Sequence, residues 1–105
     1  MITKKQLHML CHDDTIVLTV HLMLRCRERG IAYDDIKQTI SEGAIIEQYP
    51  DDHPYPSCLM VHQLPNNSYM HIVVGLGDER LWIVTAYYPD KARWDDDFKI
   101  RKAGE

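Results

Sequence analysis

The order of residues predicts an α+β fold: two or three helices followed by a four-stranded antiparallel β-meander. Three observations carry that expectation. Apolar residues recur at helical spacing, with capping residues at the ends, as far as Gly43. From Ala44 onward the apolar pattern becomes that of strands. Those strands are separated by short runs of Pro, Asn, Ser, Gly and Asp, which turn the chain back antiparallel. At 105 residues one hydrophobic core suffices, so 1–105 is read as a single domain with no repeat or linker.

Thr3 is placed to cap a first helix reaching about Asp13, with Leu7, Leu10 and Cys11 on one face. Thr15 to Leu18 is short and β-branched and reads as a brief extended approach to a second helix, capped by Thr19 and ended by Gly30. On that helix Val20, Met23, Leu24 and Arg27 form one stripe, and His21, Arg25 and Glu28 form the next. His21 and Arg25 are one turn apart and can point at the same object. A third helix starts at Tyr33, carries acids in its first turn and closes at Gly43, with Ile36 and Ile40 as core contacts.

Four strands follow: Ala44 to Tyr49, Ser57 to Leu64, Tyr69 to Gly77 and Arg80 to Tyr88. In the third, Met70, Ile72, Val74 and Leu76 alternate with Tyr69, His71, Val73 and Gly75, which sends His71 away from the core face. The fourth is apolar on both faces and reads as central. The faces of Thr85 and Tyr87 stay open, because turns of two and three residues set opposite registers. Beyond Pro89, Trp94 and Phe98 are the anchors of a segment without regular structure.

Composition narrows the function. No apolar run approaches the roughly 20 residues of a membrane span, and the N-terminal residues lack the apolar stretch of a secretory signal, so a cytoplasmic protein is expected. Three widely spaced cysteines without a Cys-x-x-Cys pair read as reduced thiols, not a zinc site, and the pair His8 and His12 is too few ligands for a metal. No metal and no cofactor are expected. The net charge is −4, against generic nucleic-acid binding, but it is unevenly spread. Residues 1–30 carry five basic and three acidic residues (+2), residues 31–60 one basic and six acidic (−5), and residues 61–105 six and seven (−1). An anionic ligand would meet the Arg25 to Arg29 helix and the basic tail Lys99-Ile100-Arg101-Lys102.

Several blocks carry a resemblance: Thr19-Val20-His21 with Arg25 and Arg29-Gly30-Ile31, Gly43 to Asp52, Pro54 to Leu59, His71 to Val74, and Thr85-Ala86-Tyr87-Tyr88-Pro89-Asp90, with Trp94 beyond. Together they resemble the bacterial family called domain of unknown function 4258, over roughly residues 16 to 101. The resemblance implies a layout similar to small ribonuclease toxins of the barnase–RelE type, and an antitoxin partner, often a zinc-finger and helix-turn-helix protein.

Metal-free RNA cleavage needs a base for the 2′-hydroxyl, an acid for the leaving 5′-oxygen and a cation for the charged phosphorane. His21 and Arg25 facing His71 and Thr85 would form the catalytic set. Arg29, Tyr49, Tyr87, Trp94 and Arg101 would bind substrate, the aromatics by stacking an unpaired base. The expected function is thus a toxin-like endoribonuclease acting on RNA. The alternative is a non-catalytic module binding a protein through a sheet edge or aromatic anchors. Each residue also has a plainer role: a satisfied structural histidine, a solvated arginine at a helix C-terminus, or acids (Glu47, Asp51, Asp52) bordering a proline-rich loop.

Overall fold

The computed structural model describes residues 1–102. Three helices are present: α1 (Lys4–Met9), α2 (Val20–Arg29) and α3 (Tyr33–Glu42). The strands are β1 (Ile16–Val17), β2 (Ala44–Tyr49), β3 (Ser57–Gln63), β4 (Tyr69–Gly77) and β5 (Arg80–Tyr87). They form one five-stranded sheet in the order β1-β5-β4-β3-β2. The expected four-stranded meander is therefore extended by a fifth strand, and that strand is parallel: Ile16 and Val17 pair with Leu81 and Trp82. Two residues are too few to show a period, and their partner lies far along the chain, so nothing local marks them as a strand.

Capping explains the helix boundaries. Thr3 and Gln6 form a reciprocal capping box at the start of α1. The helix stops at Met9, four residues short of the expected Asp13. Asp13 is drawn into the turn beyond, where its carboxylate accepts from Lys37 Nζ and Tyr33 Oη, each at 2.9 Å. Thr19 Oγ1 accepts from Leu22 N at 3.1 Å to start α2, and Gly30 ends it at φ +69°, where a side chain would be strained. At Gly43 no Cβ fits, because it would lie 2.5 Å from the Thr39 carbonyl and 2.6 Å from that of Val61. The glycine lets α3 turn directly into β2.

The helices cover one face of the sheet. Leu7, Leu22, Cys26, Ile31, Ile36 and Ile40 pack there against Cys58, Met60, Met70, Ile72, Val74, Leu81, Ile83 and Ala86. α2 turns Leu22 and Cys26 inward, and neither stripe expected from its sequence is the buried one. The opposite, outer face holds a second, smaller core of Leu59, Val61, Trp94 and Phe98, flanked by Ile46, Tyr49, Tyr69 and Val73. Its cover is the segment 90–102, an irregular strap crossing the sheet. Trp94 and Arg101 form an antiparallel bridge, and Asp95 N donates to Ile100 O at 2.9 Å.

Two irregularities set what the outer face presents. Asp78 and Glu79, both with positive φ, form a two-residue turn that pairs Gly77 with Arg80. Continued without interruption, that register would set Thr85 opposite Ile72 on the helix side. The register instead shifts at Val84, so Thr85 pairs with Val73 and Tyr87 with His71. A second shift in β2, between Ile45 and Glu47, sets Glu47 opposite Leu59 and Tyr49 opposite Ser57, again on the outer face.

Candidate active site on the outer face of the sheet

His71 is the centre of the outer-face cluster. It points away from the helices, as its alternation with Met70 and Ile72 requires, but the strap covers it and it has no exposed surface. Both ring nitrogens are partnered. Nε2 lies 2.7 Å from the Phe98 carbonyl oxygen, so that nitrogen carries the proton. Nδ1 then accepts from the Tyr87 hydroxyl at 3.2 Å. Trp94 meets the ring edge-on at 4.6 Å, and Tyr87 meets it at 5.4 Å. Burial pushes the His71 pKa below its usual value and holds the ring neutral.

Beside this sealed ring lies a charged pair open to solvent. Arg101 Nε donates to Glu47 Oε2 at 2.9 Å, and a terminal guanidinium nitrogen donates to Oε1 at 3.1 Å, a two-pronged contact. The side chains are 55% and 25% exposed. The same guanidinium stands 4.6 Å from the centre of the Trp94 ring. Tyr49 Oη donates to Glu47 Oε1. The Arg101 bond holds the Glu47 carboxyl below the usual range, while burial and the adjacent carboxylate push Tyr49 up to about 12. Burial also raises Tyr87. A carboxylate, a guanidinium, two hydroxyls, an imidazole and an indole thus meet from β2, β4, β5 and the strap.

This arrangement divides the residues expected from sequence. His71, Thr85, Tyr49, Tyr87, Trp94 and Arg101 all lie on the outer side of the sheet. His21 and Arg25 do not: they are exposed on α2, whose inward residues pack on the helix-side core, so the sheet stands between them and His71. The expected convergence of His21 and Arg25 on His71 is corrected accordingly. Arg29 is also elsewhere, its guanidinium donating to the Ala86 carbonyl at 2.7 Å along the part of β5 that β1 leaves uncovered. Trp94 is 4% exposed, with His71 packed perpendicular to it and the Arg101 guanidinium over its ring, so base stacking there requires the strap to shift.

Glu47 is the residue that sequence reasoning set aside, as one of several acids near the proline loop. Its place inside a strand, alternating with Gln48 beside Tyr49, was the signal that separates it from Asp51 and Asp52. Asp52 binds the Ser57 hydroxyl at 2.6 Å and braces the loop instead. Among the described residues no cluster of three or more His, Cys, Asp or Glu side chains is placed to hold a metal ion. His8 and His12 are exposed, and His8 Nε2 lies 2.7 Å from the Ser41 carbonyl oxygen. Cys26 and Cys58 are buried, and burial pushes the Cys58 thiol to about 12, which leaves it unreactive. No helix of the described residues is long and apolar enough to cross a membrane.

The molecule is thus an α+β protein with a helix-covered sheet and a polar cluster under a strap on its other face. Residues 18–88, two thirds of the chain, match the model of the family described as Domain of unknown function (DUF4258), and the chain belongs to that family. No curated protein and no solved structure matches it.

Proposed function

We propose that this protein is a toxin-type endoribonuclease that cleaves single-stranded RNA without a metal, in the cytoplasm, at the outer face of the sheet. The observation that carries the reading is the meeting of Glu47, Tyr49, His71, Tyr87, Trp94 and Arg101 from four separate segments. Packing a strap onto a sheet needs only apolar contacts, and Leu59, Val61 and Phe98 already supply them.

The roles follow from the geometry. An incoming phosphate competes with Glu47 for Arg101, because both present two oxygens to the guanidinium fork. Once displaced, Glu47 loses the contact that lowers its pKa and becomes a better base for the RNA 2′-hydroxyl. Arg101 then bears the charge of the phosphorane. The Tyr87 hydroxyl turns its proton from His71 Nδ1 to the leaving 5′-oxygen and recovers a proton from solvent after the product leaves, and His71 is a positioning residue that holds that hydroxyl. The partner that restrains the activity would be an antitoxin protein, for which a zinc-finger and helix-turn-helix architecture is our expectation.

Induced expression in a bacterial host tests the proposal. The wild-type chain should arrest growth and the Glu47→Gln variant should not; unimpaired growth of the wild type at full expression would remove the toxin reading. His71→Ala is a poorer test, since a buried ring with two partners also supports the fold.

A second reading, a non-catalytic interaction module, is favoured by one observation: His71 is sealed and both nitrogens are satisfied within the protein. Harmless expression together with a stable partner would support it.

A further inference from the structure

We propose that the outer face carries a nucleobase subsite, a cleft between Trp82 and the proline loop that takes one unpaired base of the RNA strand whose phosphate meets Arg101. The inference deepens the RNA-cleaving reading of that face and rests on it. Stacking a base needs an aromatic ring with open space beside it, and Trp94 offers none while the strap is seated. Trp82 does. It is half-buried and lines a cleft of about 320 Å³ together with Thr19, Pro54, Tyr55, Gly75 and Val84.

Two glycines shape this cleft. At Gly77 a Cβ would lie 2.0 Å from a ring carbon of Tyr55, so the bare backbone seats that ring, which stacks on Trp82 at 5.4 Å between centroids. Trp82 Nε1 donates to the Gly77 carbonyl at 2.9 Å and fixes the indole. A preassembled aromatic pair bordering open space is a platform for a third ring. At Gly75 the nearest neighbour of an added Cβ is 3.6 Å away, an ordinary contact, so packing does not demand a glycine there. The missing side chain leaves the cleft its depth.

Charge and register select the ligand. Among the described residues no Lys or Arg lines the cleft, and its one acid, Asp52, has both oxygens engaged, by the Ser57 hydroxyl at 2.6 Å and the His53 backbone N–H at 3.0 Å. The cleft therefore suits the flat, uncharged part of a nucleotide and not its phosphate. Across the sheet Tyr49, Ser57, Gly75 and Trp82 are successive partners, and Glu47, Leu59, Val73 and Thr85 form the next row. Gly75 thus lies two strand spacings, about 10 Å, from Tyr49, whose hydroxyl donates to Glu47. A base in the cleft and a phosphate at Arg101 are within reach of one short oligonucleotide.

Fluorescence anisotropy with the full chain tests it, using a labelled oligodeoxynucleotide tetramer and its abasic counterpart. Neither has the 2′-hydroxyl that the proposed cleavage needs, so binding is read apart from catalysis. The base-bearing strand should bind about tenfold more tightly, the effect of one stacked base. Trp82→Leu should bring that ratio below about twofold while the abasic strand binds as before. Gly75→Ala, whose added carbon meets no atom closer than 3.6 Å, should lower the ratio as well, and circular dichroism checks that each variant is folded. Equal binding of the two strands by the wild type, or binding of neither, would overturn the subsite. So would an undiminished ratio in a folded Trp82→Leu or, where that variant does not fold, in Gly75→Ala. A Trp82-dependent ratio in a chain that cleaves no RNA would support the subsite and remove only the catalytic reading.

Discussion

His71 is neutral because it is covered, and its neutrality has a measurable consequence. Its folded pKa lies below the unfolded value of about 6.5, so below that pH the unfolded chain binds more protons than the folded one. The stability tied to His71 is therefore present above about pH 6.5 and is lost as pH falls from there toward the lowered folded value. The carboxylates whose pKa values are lowered, Asp13, Glu47 and Asp52, lose their contributions only below about pH 4.5. Thermal melts should show a flat melting temperature between about pH 7 and pH 8, below the range in which thiols ionise in the unfolded chain, and a decline on the acid side beginning near pH 6.5. The decline should be missing in a folded His71→Gln variant; if it persists there unchanged, another group is responsible. At the same scale, the alternation of β4 announced which way His71 faces, but nothing in its neighbours announced its cover. That cover comes from Trp94 and the Phe98 carbonyl, and no local pattern ties either to β4.

The strap is the element on which access to the cluster depends. Trp94 and Phe98 are its apolar anchors, and Arg101 is its polar one. Trp94→Ala should cost about 3 kcal/mol of stability, the scale of a large-to-small change in a core. It should also expose the His71 ring. In the native protein diethyl pyrocarbonate should modify the exposed His8, His12, His21 and His53 while sparing the buried His71, and in Trp94→Ala His71 should react too, as read by peptide mass mapping. Continued protection of His71 in a folded Trp94→Ala would mean that the strap is not what seals it. Most elements were legible because their signals are local. Thr19 and Gly30 bound α2, the acids and Ile36 mark α3, and the turns at Asn67 and Asp78-Glu79 separate β3, β4 and β5. The strap, the two-residue β1 and the register shift at Val84 were not legible, because each is decided by a partner elsewhere in the chain. The shift matters most, for it puts Tyr87 beside His71.

At the scale of the whole molecule the sheet separates two surfaces. The helix layer carries His21, Arg25 and the exposed Val20, Met23 and Leu24 of α2, while the outer face carries the polar cluster and, on the strap, Lys99, Arg101 and Lys102. Sequence placed every candidate in a plausible element, but element membership does not tell which layer a helix covers, and so His21 and His71 were paired across what proves to be a sheet. The acidic balance of the chain predicts modest, salt-sensitive RNA affinity. With about three phosphate contacts from the strap, log K against log salt for a single strand should have a slope near −2. A slope near zero would argue against contact with the backbone.

The most direct test of the outer face as the site of catalysis compares the two surfaces in one assay: cleavage of single-stranded RNA in the presence of EDTA, followed by analysis of the product ends. The wild-type chain should leave 2′,3′-cyclic phosphates, Glu47→Gln should lose at least about a hundredfold in rate, and His21→Ala should cleave as the wild type does. If His21→Ala abolishes cleavage, or Glu47→Gln leaves it intact, the site has been placed on the wrong side of the sheet.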